Sequence, residues 1–349
     1  MHMADALLSP SVGVAMWAVA GAALALASRR VRQQGDERLV PLMGMLGAFV
    51  FAAQMLNFGI PGTGSSGHLG GGLLLALLLG PWPALVVMAS VLTVQALLFA
   101  DGGLLALGAN IFNMGVVPCL VAYPLIYRPL AGAQPSRARL AVAAAMTALV
   151  ALQLGAIGVV LQTTSSGISA LPVQAFAWLM LPIHAAIGVV EALATVAIVL
   201  FVQRHRPDLL RPRVGAAAGG ARLRPAVLAL GAAALALAGM GSWFASSAPD
   251  GLEWSVARAS AGHEPAAPTR GLHALLAQAQ QATALLPDYQ LPTSAPAAAE
   301  ASGRAAQPWP AVSASTSLAG VLGGVATLAL VVTVGLVLRR RRASSTQPD

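Results

Sequence analysis

Long apolar runs recur along the chain, separated by short polar or basic segments. Nine such runs can be marked, at residues 11–28, 39–57, 69–80, 82–100, 104–127, 138–162, 173–203, 225–245 and 316–338. A helix of about 20 residues crosses the roughly 30 Å hydrocarbon core of a bilayer. The pattern predicts an all-α integral membrane protein with a seven-helix core and two further transmembrane helices.

The third run is too short to cross a bilayer by itself. It is separated from the fourth by Gly80-Pro81-Trp82-Pro83, and its 12 residues would reach only about 18 Å as a helix. We expect a half-helix that is buried in protein, because irregular backbone at membrane depth occurs only where lipid is excluded.

Composition agrees with a membrane protein and excludes several functions. Hydrophobic residues make up 57% of the 349 positions, charged residues only 9%, and the mean hydropathy is +0.75, whereas soluble proteins carry about 25% charged residues. All 20 basic residues are arginine. Without lysine, the chain cannot build the phosphate-binding loop of P-loop ATPases or a pyridoxal Schiff base. The lone Cys119 cannot form an internal disulfide, and we expect it to be a small buried core residue.

The arginines define a topology. Seventeen of the twenty lie in four segments, residues 29–38, 128–139, 204–224 and 339–342. These fall on one side only if residues 69–100 cross the membrane twice, and basic segments favour the cytoplasm. We therefore expect a multi-pass protein of a bacterial or archaeal cell (inner) membrane, with the N-terminus outside and the C-terminus cytoplasmic. Its partner is the lipid bilayer rather than nucleic acid. Arg29 and Arg30 follow the first apolar run, so we expect an uncleaved first helix rather than a signal peptide.

The chain divides into modules. Residues 1–203 form the seven-helix membrane core, and residues 204–224 form an Arg-rich cytoplasmic linker. Residues 225–342 hold two membrane helices around an outer loop, 246–315, and residues 343–349 are a cytoplasmic tail. The loop's second half, 265–315, is rich in Ala, Pro, Gln and Ser, and we expect it to be mobile.

Two features on the predicted outer face carry metal chemistry. The amine of Met1, the deprotonated amide of His2 and the His2 imidazole can occupy three corners of a square, and His68 in a glycine-rich loop can supply the fourth nitrogen. Nitrogen-rich square-planar sites suit Ni²⁺ or Cu²⁺ and can accommodate Co²⁺. Mg²⁺ and Ca²⁺ prefer oxygen ligands. The residues alone are thus compatible with a metal site made by Met1, His2 and His68. The alternatives are that His2 has no special role, that His68 is a polar cap, and that the glycine-rich loop is a simple turn.

Other polar residues are weaker candidates. His184 and Glu191 lie seven positions apart on one helix face, about 10.5 Å along the axis. Each either contacts a neighbouring helix or serves as a functional group, since intramembrane ionisable residues are functional candidates. Asn57 and Ser66 are candidates for supporting the metal ligands. The buried amides, Gln54 and Gln95 among them, are foremost polar packing residues and secondarily metal support. We expect His263 and His273 to be solvated, with metal scavenging as the alternative.

Four stretches resemble one family. They are Met1–Pro10, Gly62–Gly71, Asp101–Gly115 and His184–Glu191. Over about residues 1–203 the chain resembles the substrate-binding membrane subunit of energy-coupling-factor cobalt and nickel importers, the CbiM/NikM family. Pro249-Asp250-Gly251-Leu252-Glu253-Trp254 resembles the PDGLE domain of the small NikN-like accessory subunit, and the chain is similar to a fusion of the two. The Ala/Pro-rich extension departs from the compact version of that domain.

The resemblance implies a function. It assigns metal binding to Met1, His2 and His68 and implies capture of Co²⁺ or Ni²⁺ at the outer face for cobalamin synthesis or nickel enzymes. The metal is the transported substrate, and no cofactor is implied. Transport then requires a separate transmembrane coupling subunit and cytoplasmic ATPase subunits. The chain itself is not an enzyme, in agreement with its lack of lysine.

Three other functions are compatible with the sequence. The first alternative is a stand-alone proton-coupled secondary transporter of transition metals, in which His184 and Glu191 form a proton relay. A membrane metal sensor is a second alternative, supported only by the long outer loop. A membrane enzyme is a third, although the sequence has no His-Glu-x-x-His pattern.

Overall fold

The computed structural model describes residues 1–34, 39–210, 224–262, 265–291 and 309–343. Within them, the apolar runs form nine helices: α1 Pro10–Gln34, α2 Leu39–Gln54, α3 Gly72–Leu79, α4 Pro81–Phe99, α5 Leu107–Ala131, α6 Arg137–Ser166, α7 Val173–His205, α8 Arg224–Gly239 and α11 Ala314–Ala343. Six of them, α1, α4, α5, α6, α7 and the Ala314–Arg339 part of α11, are long and apolar enough to cross a membrane. The all-α membrane architecture predicted from the sequence is confirmed.

The short helix α3 is enclosed by protein. All eight of its residues are buried, as expected for a half-helix of about 12 Å. It packs closely on α5, because a Cβ at Gly72 would lie only 2.5 Å from Cγ of Pro118. The thiol of buried Cys119 donates to the Gly72 carbonyl at 3.4 Å. The expected half-helix and the structural role of Cys119 are both found.

Residues 69–100 run to one end of the bundle and return. The chain leaves α3 at Gly80, whose φ of +86° breaks the helix, and α4 starts with Pro81. Beside that start, the guanidinium of Arg30 lies 5.6 Å from the centre of the Trp82 ring. The other end of α4 leads to Asp101, beside the N-terminus. The turn between α3 and α4 therefore lies at the end of the bundle where Arg30 lies, and the double crossing stays a prediction.

A polar hairpin precedes α3 and carries the glycine-rich loop. Strands β1 Phe58–Ile60 and β2 Ser65–Gly67 pair antiparallel, and Phe58 lies opposite Gly67. The turn between them uses Gly62 and Gly64, both at positive φ, which glycine adopts without steric cost. His68 follows β2 directly.

The last two helices dock against the core through small residues. A Cβ at Gly323 of α11 would overlap the ring of Phe51 in α2, and one at Gly44 would lie 2.7 Å from Cδ1 of Leu328. Glycines let helix backbones approach closely within a membrane. Core and accessory helices therefore form one packed bundle.

Part of the loop 246–315 is more ordered than its composition predicts. It contains α9 Gly251–Ala259 and α10 Gly271–Thr283. The expected mobility is wrong for residues 265–291, because this segment packs on the core instead of forming a core of its own. The remaining Ala/Pro-rich residues 292–308 lie outside the described residues, as do residues 211–223 of the linker and residues 344–349 of the tail.

Candidate metal site

The N-terminal segment is fastened onto the bundle before α1 begins. The Met3 amide donates to Oδ1 of Asn110 at 2.8 Å, and Nδ2 of Asn110 donates back to the Met3 carbonyl at 3.2 Å. The Asp5 side chain accepts from the Ala106 amide at 2.9 Å. The Met1 side chain is buried against Gly155. The terminal amine is thereby held at a fixed place.

The loop that carries His68 is held by a carboxylate of α7. The two oxygens of Glu191 accept from the amides of Gly70 and Gly71 at 2.7 and 3.0 Å. Gly71 has a φ of +73°, a conformation that a residue with a Cβ rarely adopts. Glu191 thus fixes the loop immediately after His68.

The structure brings all three predicted ligand residues together. Nitrogen of Met1 lies 3.3 Å from Nε2 of His68, and the rings of His2 and His68 stack at 5.0 Å with a 20° angle. Adjacent nitrogens of a square-planar site lie about 2.9 Å apart when the metal–nitrogen distance is about 2.0–2.1 Å. The amine and His68 therefore need to close by only a few tenths of an ångström.

The His2 ring lies between two acceptors. Its Nδ1 is 3.3 Å from Oδ1 of Asp101, and its Nε2 is 3.2 Å from Oε1 of Gln95. Only Nδ1 can close a six-membered chelate ring with the His2 amide nitrogen. Metal binding in the predicted geometry therefore requires Nδ1 to exchange Asp101 for the metal.

Both imidazoles are suited to ligation. Burial lowers the pKa of His2, and burial together with the neighbouring N-terminal ammonium lowers the pKa of His68 to about 3. Neutral imidazole is the form that binds a metal.

Two acidic residues at the site were not singled out from the sequence: Asp101, which faces His2, and Asp250. Oδ2 of Asp250 lies 3.0 Å from the Met1 nitrogen and 3.9 Å from Nε2 of His68. Burial raises the pKa of the Asp250 carboxyl, but the N-terminal ammonium and His68 outweigh burial and hold that pKa below its usual range. The available signal was the acidic residue of the Pro249–Trp254 motif in a loop assigned to the same face as Met1.

A helix cap fixes the conformation of Asp250. Its side chain accepts from the amides of Leu252 and Glu253, both at 2.8 Å, at the start of α9. The Glu253 side chain accepts in return from the Asp250 amide, which completes a capping box. One oxygen of Asp250 thus caps the helix, while the other is free to face the terminal amine.

Ser66 of the core hairpin anchors the turn before Asp250. Its amide donates to the Pro249 carbonyl at 2.8 Å, and this contact makes a parallel bridge between the hairpin and the accessory loop. The Ser66 hydroxyl donates to the Ala248 carbonyl at 2.7 Å. The hairpin thus places the carboxylate of the accessory loop over the amine.

The other candidate residues lie around the ligands without forming one cluster with them. Nδ1 of His184 bonds the Met180 carbonyl at 2.8 Å, whereas Glu191 binds the glycine loop, so the two side chains have different partners. Asn57 is half-buried, and its carbonyl accepts from the Ser246 amide at 2.7 Å. Among the described residues, no group of three or more His, Cys, Asp or Glu side chains could hold a metal. The predicted site is of a different kind, because two of its four donors, the Met1 amine and the His2 amide nitrogen, belong to the backbone rather than to side chains.

The segment 265–291, here called the strap, lies against the ligand-bearing loops. Contrary to expectation, His273 is buried, and its Nε2 donates to the Leu8 carbonyl at 2.8 Å. Gln280 donates to the Gly102 carbonyl at 2.7 Å. The Tyr289 ring stacks on Phe99 at 4.6 Å, and its hydroxyl donates to Oδ2 of Asp101. His263 lies outside the described residues.

Comparisons with known proteins divide the chain into a core part and an accessory part. Residues 2–209 match the model of the CbiM family, described as the cobalt uptake substrate-specific transmembrane region, and residues 224–340 match the PDGLE domain. The fused nickel transport protein NikMN of Rhodobacter capsulatus is 31% identical over 312 residues, which cover 83% of this chain and 88% of that protein.

Two further relatives match the core. The cobalt transport protein CbiM of Geobacter sulfurreducens is 33% identical over 231 residues, covering 63% of this chain and 64% of that protein. A crystal structure of a transition metal transporter aligns with a TM-score of 0.52 and 31% identity, over 58% of this chain and 93% of that one.

Proposed function

Because the chain belongs to the CbiM family and carries a PDGLE domain, we propose that it captures Co²⁺ or Ni²⁺ at the outer face of the membrane. In this proposal it passes the ion inward as the substrate-specific component of an ATP-driven importer. Its relatives include cobalt and nickel transport proteins, and the chain is a multi-pass membrane protein in keeping with them.

One observation carries the assignment of the site. The terminal amine and Nε2 of His68 lie 3.3 Å apart although 67 positions separate their residues, and the His2 ring stacks on His68. This arrangement supports a four-nitrogen site made by the Met1 amine, the His2 amide and imidazole, and His68. Such a donor set suits Ni²⁺ and accommodates Co²⁺.

The accessory loop has a role at the same site in this proposal. Asp250 forms an ion pair with the terminal ammonium. When the amine loses its proton and binds the metal, the carboxylate remains as a negative charge beside the cation. The PDGLE module therefore acts by closing the outer side of the site.

The energy for transport comes from other chains in this proposal. The absence of lysine from the sequence supports an ATPase on separate subunits, reached through a transmembrane coupling subunit. The arginine-rich end of the bundle faces the cytoplasm, and the metal site faces outward. The captured ion would supply cobalamin synthesis or nickel enzymes.

Two variants test the site in the purified full-length chain. His68→Ala removes one ligand, and a Gly-Ser extension before Met1 moves the free amine away from His2. Each should weaken Ni²⁺ binding, measured by isothermal titration, by more than about 100-fold, because even the loss of a group that only supports a ligand costs about 10–100-fold.

His205→Ala is the matched control. His205 is exposed near the end of α7, and its ring bonds the Phe201 carbonyl. This variant should bind Ni²⁺ as the unaltered chain does. If His68→Ala and the extended chain also kept full affinity, the site assignment would be wrong.

A further inference from the structure

A chain of hydrogen bonds joins the two ligand-bearing segments beneath the metal site. Nε2 of His2 lies 3.2 Å from Oε1 of Gln95, Nε2 of Gln95 lies 2.9 Å from Oε1 of Gln54, and Nε2 of Gln54 lies 2.8 Å from the Gly70 carbonyl. Gln54 and Gln95 are both buried. The chain thus runs from the first segment, at His2, to the loop that carries His68.

The Gly70 carbonyl fixes the direction of this chain. A carbonyl oxygen only accepts hydrogen bonds, so the amide nitrogen of Gln54 must face it. The Gln54 oxygen then faces Gln95 and accepts from its nitrogen, which leaves the Gln95 oxygen facing His2. Each amide has one orientation that satisfies its neighbours, and the last group of the chain is an acceptor for a proton on Nε2.

The Gln95 oxygen is placed to accept the ring proton of a His2 that binds a metal through Nδ1. When Nδ1 of His2 binds a metal, the remaining ring proton is on Nε2, and ligating histidines generally donate that proton to a neighbouring acceptor. Asp101 also faces the ring, at Nδ1. A neutral imidazole carries one N–H and satisfies one of the two acceptors. When a metal binds Nδ1, the ring proton is on Nε2 and is donated to Oε1 of Gln95.

We propose that Gln95 and Gln54 are positioning residues that hold His2 in its metal-binding tautomer and couple its orientation to the His68 loop. The inference rests on the proposed function. Gly70 is tied at both of its polar groups, through its carbonyl to Gln54 and through its amide to Glu191. A shift of the loop therefore reaches His2 through two hydrogen-bonded side chains.

The decisive comparison is between two substitutions of Gln95. Gln95→Met keeps the approximate size of the side chain and removes the acceptor, and it should weaken Ni²⁺ binding by about 10–100-fold. Gln95→Glu keeps an oxygen for the Nε2 proton but cannot donate to Gln54, and it should stay within about threefold of the unaltered chain. A merely structural role for the Gln95–Gln54 bond predicts that Glu fails as badly as Met.

Gln162→Met is the control, because Gln162 is a buried amide that pairs with Asn113 instead of with a ligand. Gln54→Met provides a second variant if Gln95→Met does not fold, and it should weaken Ni²⁺ binding by about 3–10-fold, since it frees the Gln95 amide to turn. Unaltered binding in either folded Met variant, or equal loss in Gln95→Met and Gln95→Glu, overturns the proposal. These results differ from failure of the site itself, in which His68→Ala would also bind Ni²⁺ normally.

Discussion

The core, residues 2–209, and the accessory region, residues 224–340, meet at the candidate site with different chemistry. The core contributes the imidazole nitrogens of His2 and His68 and the amides around them. The accessory region contributes a carboxylate, Asp250, placed over the terminal amine. Nitrogen donors select the kind of metal, whereas a carboxylate beside them adds charge without changing that preference. If the proposed site is correct, the core sets which ion is bound and the accessory region helps to retain it.

Among the variants that test this comparison, Asp250→Asn should have the largest effect on Ni²⁺ affinity. The substitution removes the charge that faces the amine and keeps the size of the side chain. Ni²⁺ affinity, measured by isothermal titration, should fall about 30-fold, the lower end of the roughly 2–5 kcal/mol lost when one partner of a buried charge pair is neutralised.

Glu253→Gln is its charge-matched control. Glu253 belongs to the same capping box, and the glutamine oxygen can still accept from the Asp250 amide, so affinity should change less than twofold. If Asp250→Asn bound Ni²⁺ as tightly as the unaltered chain or more tightly, the carboxylate would have no role in retaining the ion.

On the core side, Glu191→Gln should have an intermediate effect. Glutamine has one oxygen for the two amides of Gly70 and Gly71, so one hydrogen bond to the loop is lost. Its net contribution is about 1 kcal/mol, and Ni²⁺ affinity and uptake should therefore fall together by about fivefold. A proton relay predicts a different result, in which uptake is abolished while binding remains normal.

Tyr289→Phe should have the smallest effect and tests the strap. The phenylalanine ring can still stack on Phe99, but the hydrogen bond to Asp101 is lost. Asp101 then has one hydrogen-bond donor fewer and accepts more strongly from Nδ1 of His2, the atom that the metal must bind. Ni²⁺ affinity should therefore fall about threefold, close to the ~0.5–1.5 kcal/mol of one hydrogen bond.

Tyr123→Phe is the control for this variant, because Tyr123 stacks on Tyr127 within α5 instead of contacting Asp101. It should leave Ni²⁺ affinity unchanged. Equal affinities for the Tyr289 variant, the Tyr123 variant and the unaltered chain would limit the strap to a packing role.

The sequence was most informative where a pattern is local. Apolar runs predicted the helices. The arginine distribution predicted two crossings by residues 69–100, and this topology stays a prediction. The same topology assigned Met1, His2 and His68 to one face, where the structure brings them together.

The sequence was least informative where one segment is buried against another. The composition of residues 265–291 predicted a mobile loop because the segment has too few apolar residues for a core of its own. It instead uses the core's surface, with His273 bonded to Leu8 and Tyr289 stacked on Phe99. Asp250 was missed for a similar reason, since its helix-capping pattern is local but its contact with Met1 spans 249 positions.

The most direct test of the central claim is X-ray absorption spectroscopy of the full-length chain loaded with one equivalent of Ni²⁺. The account predicts four nitrogen neighbours at about 1.9–2.1 Å in a square-planar arrangement, with outer-shell scattering from two imidazole rings. A six-coordinate shell dominated by oxygen, or a sulfur neighbour near about 2.3 Å, would contradict a site built from the Met1 amine, His2 and His68.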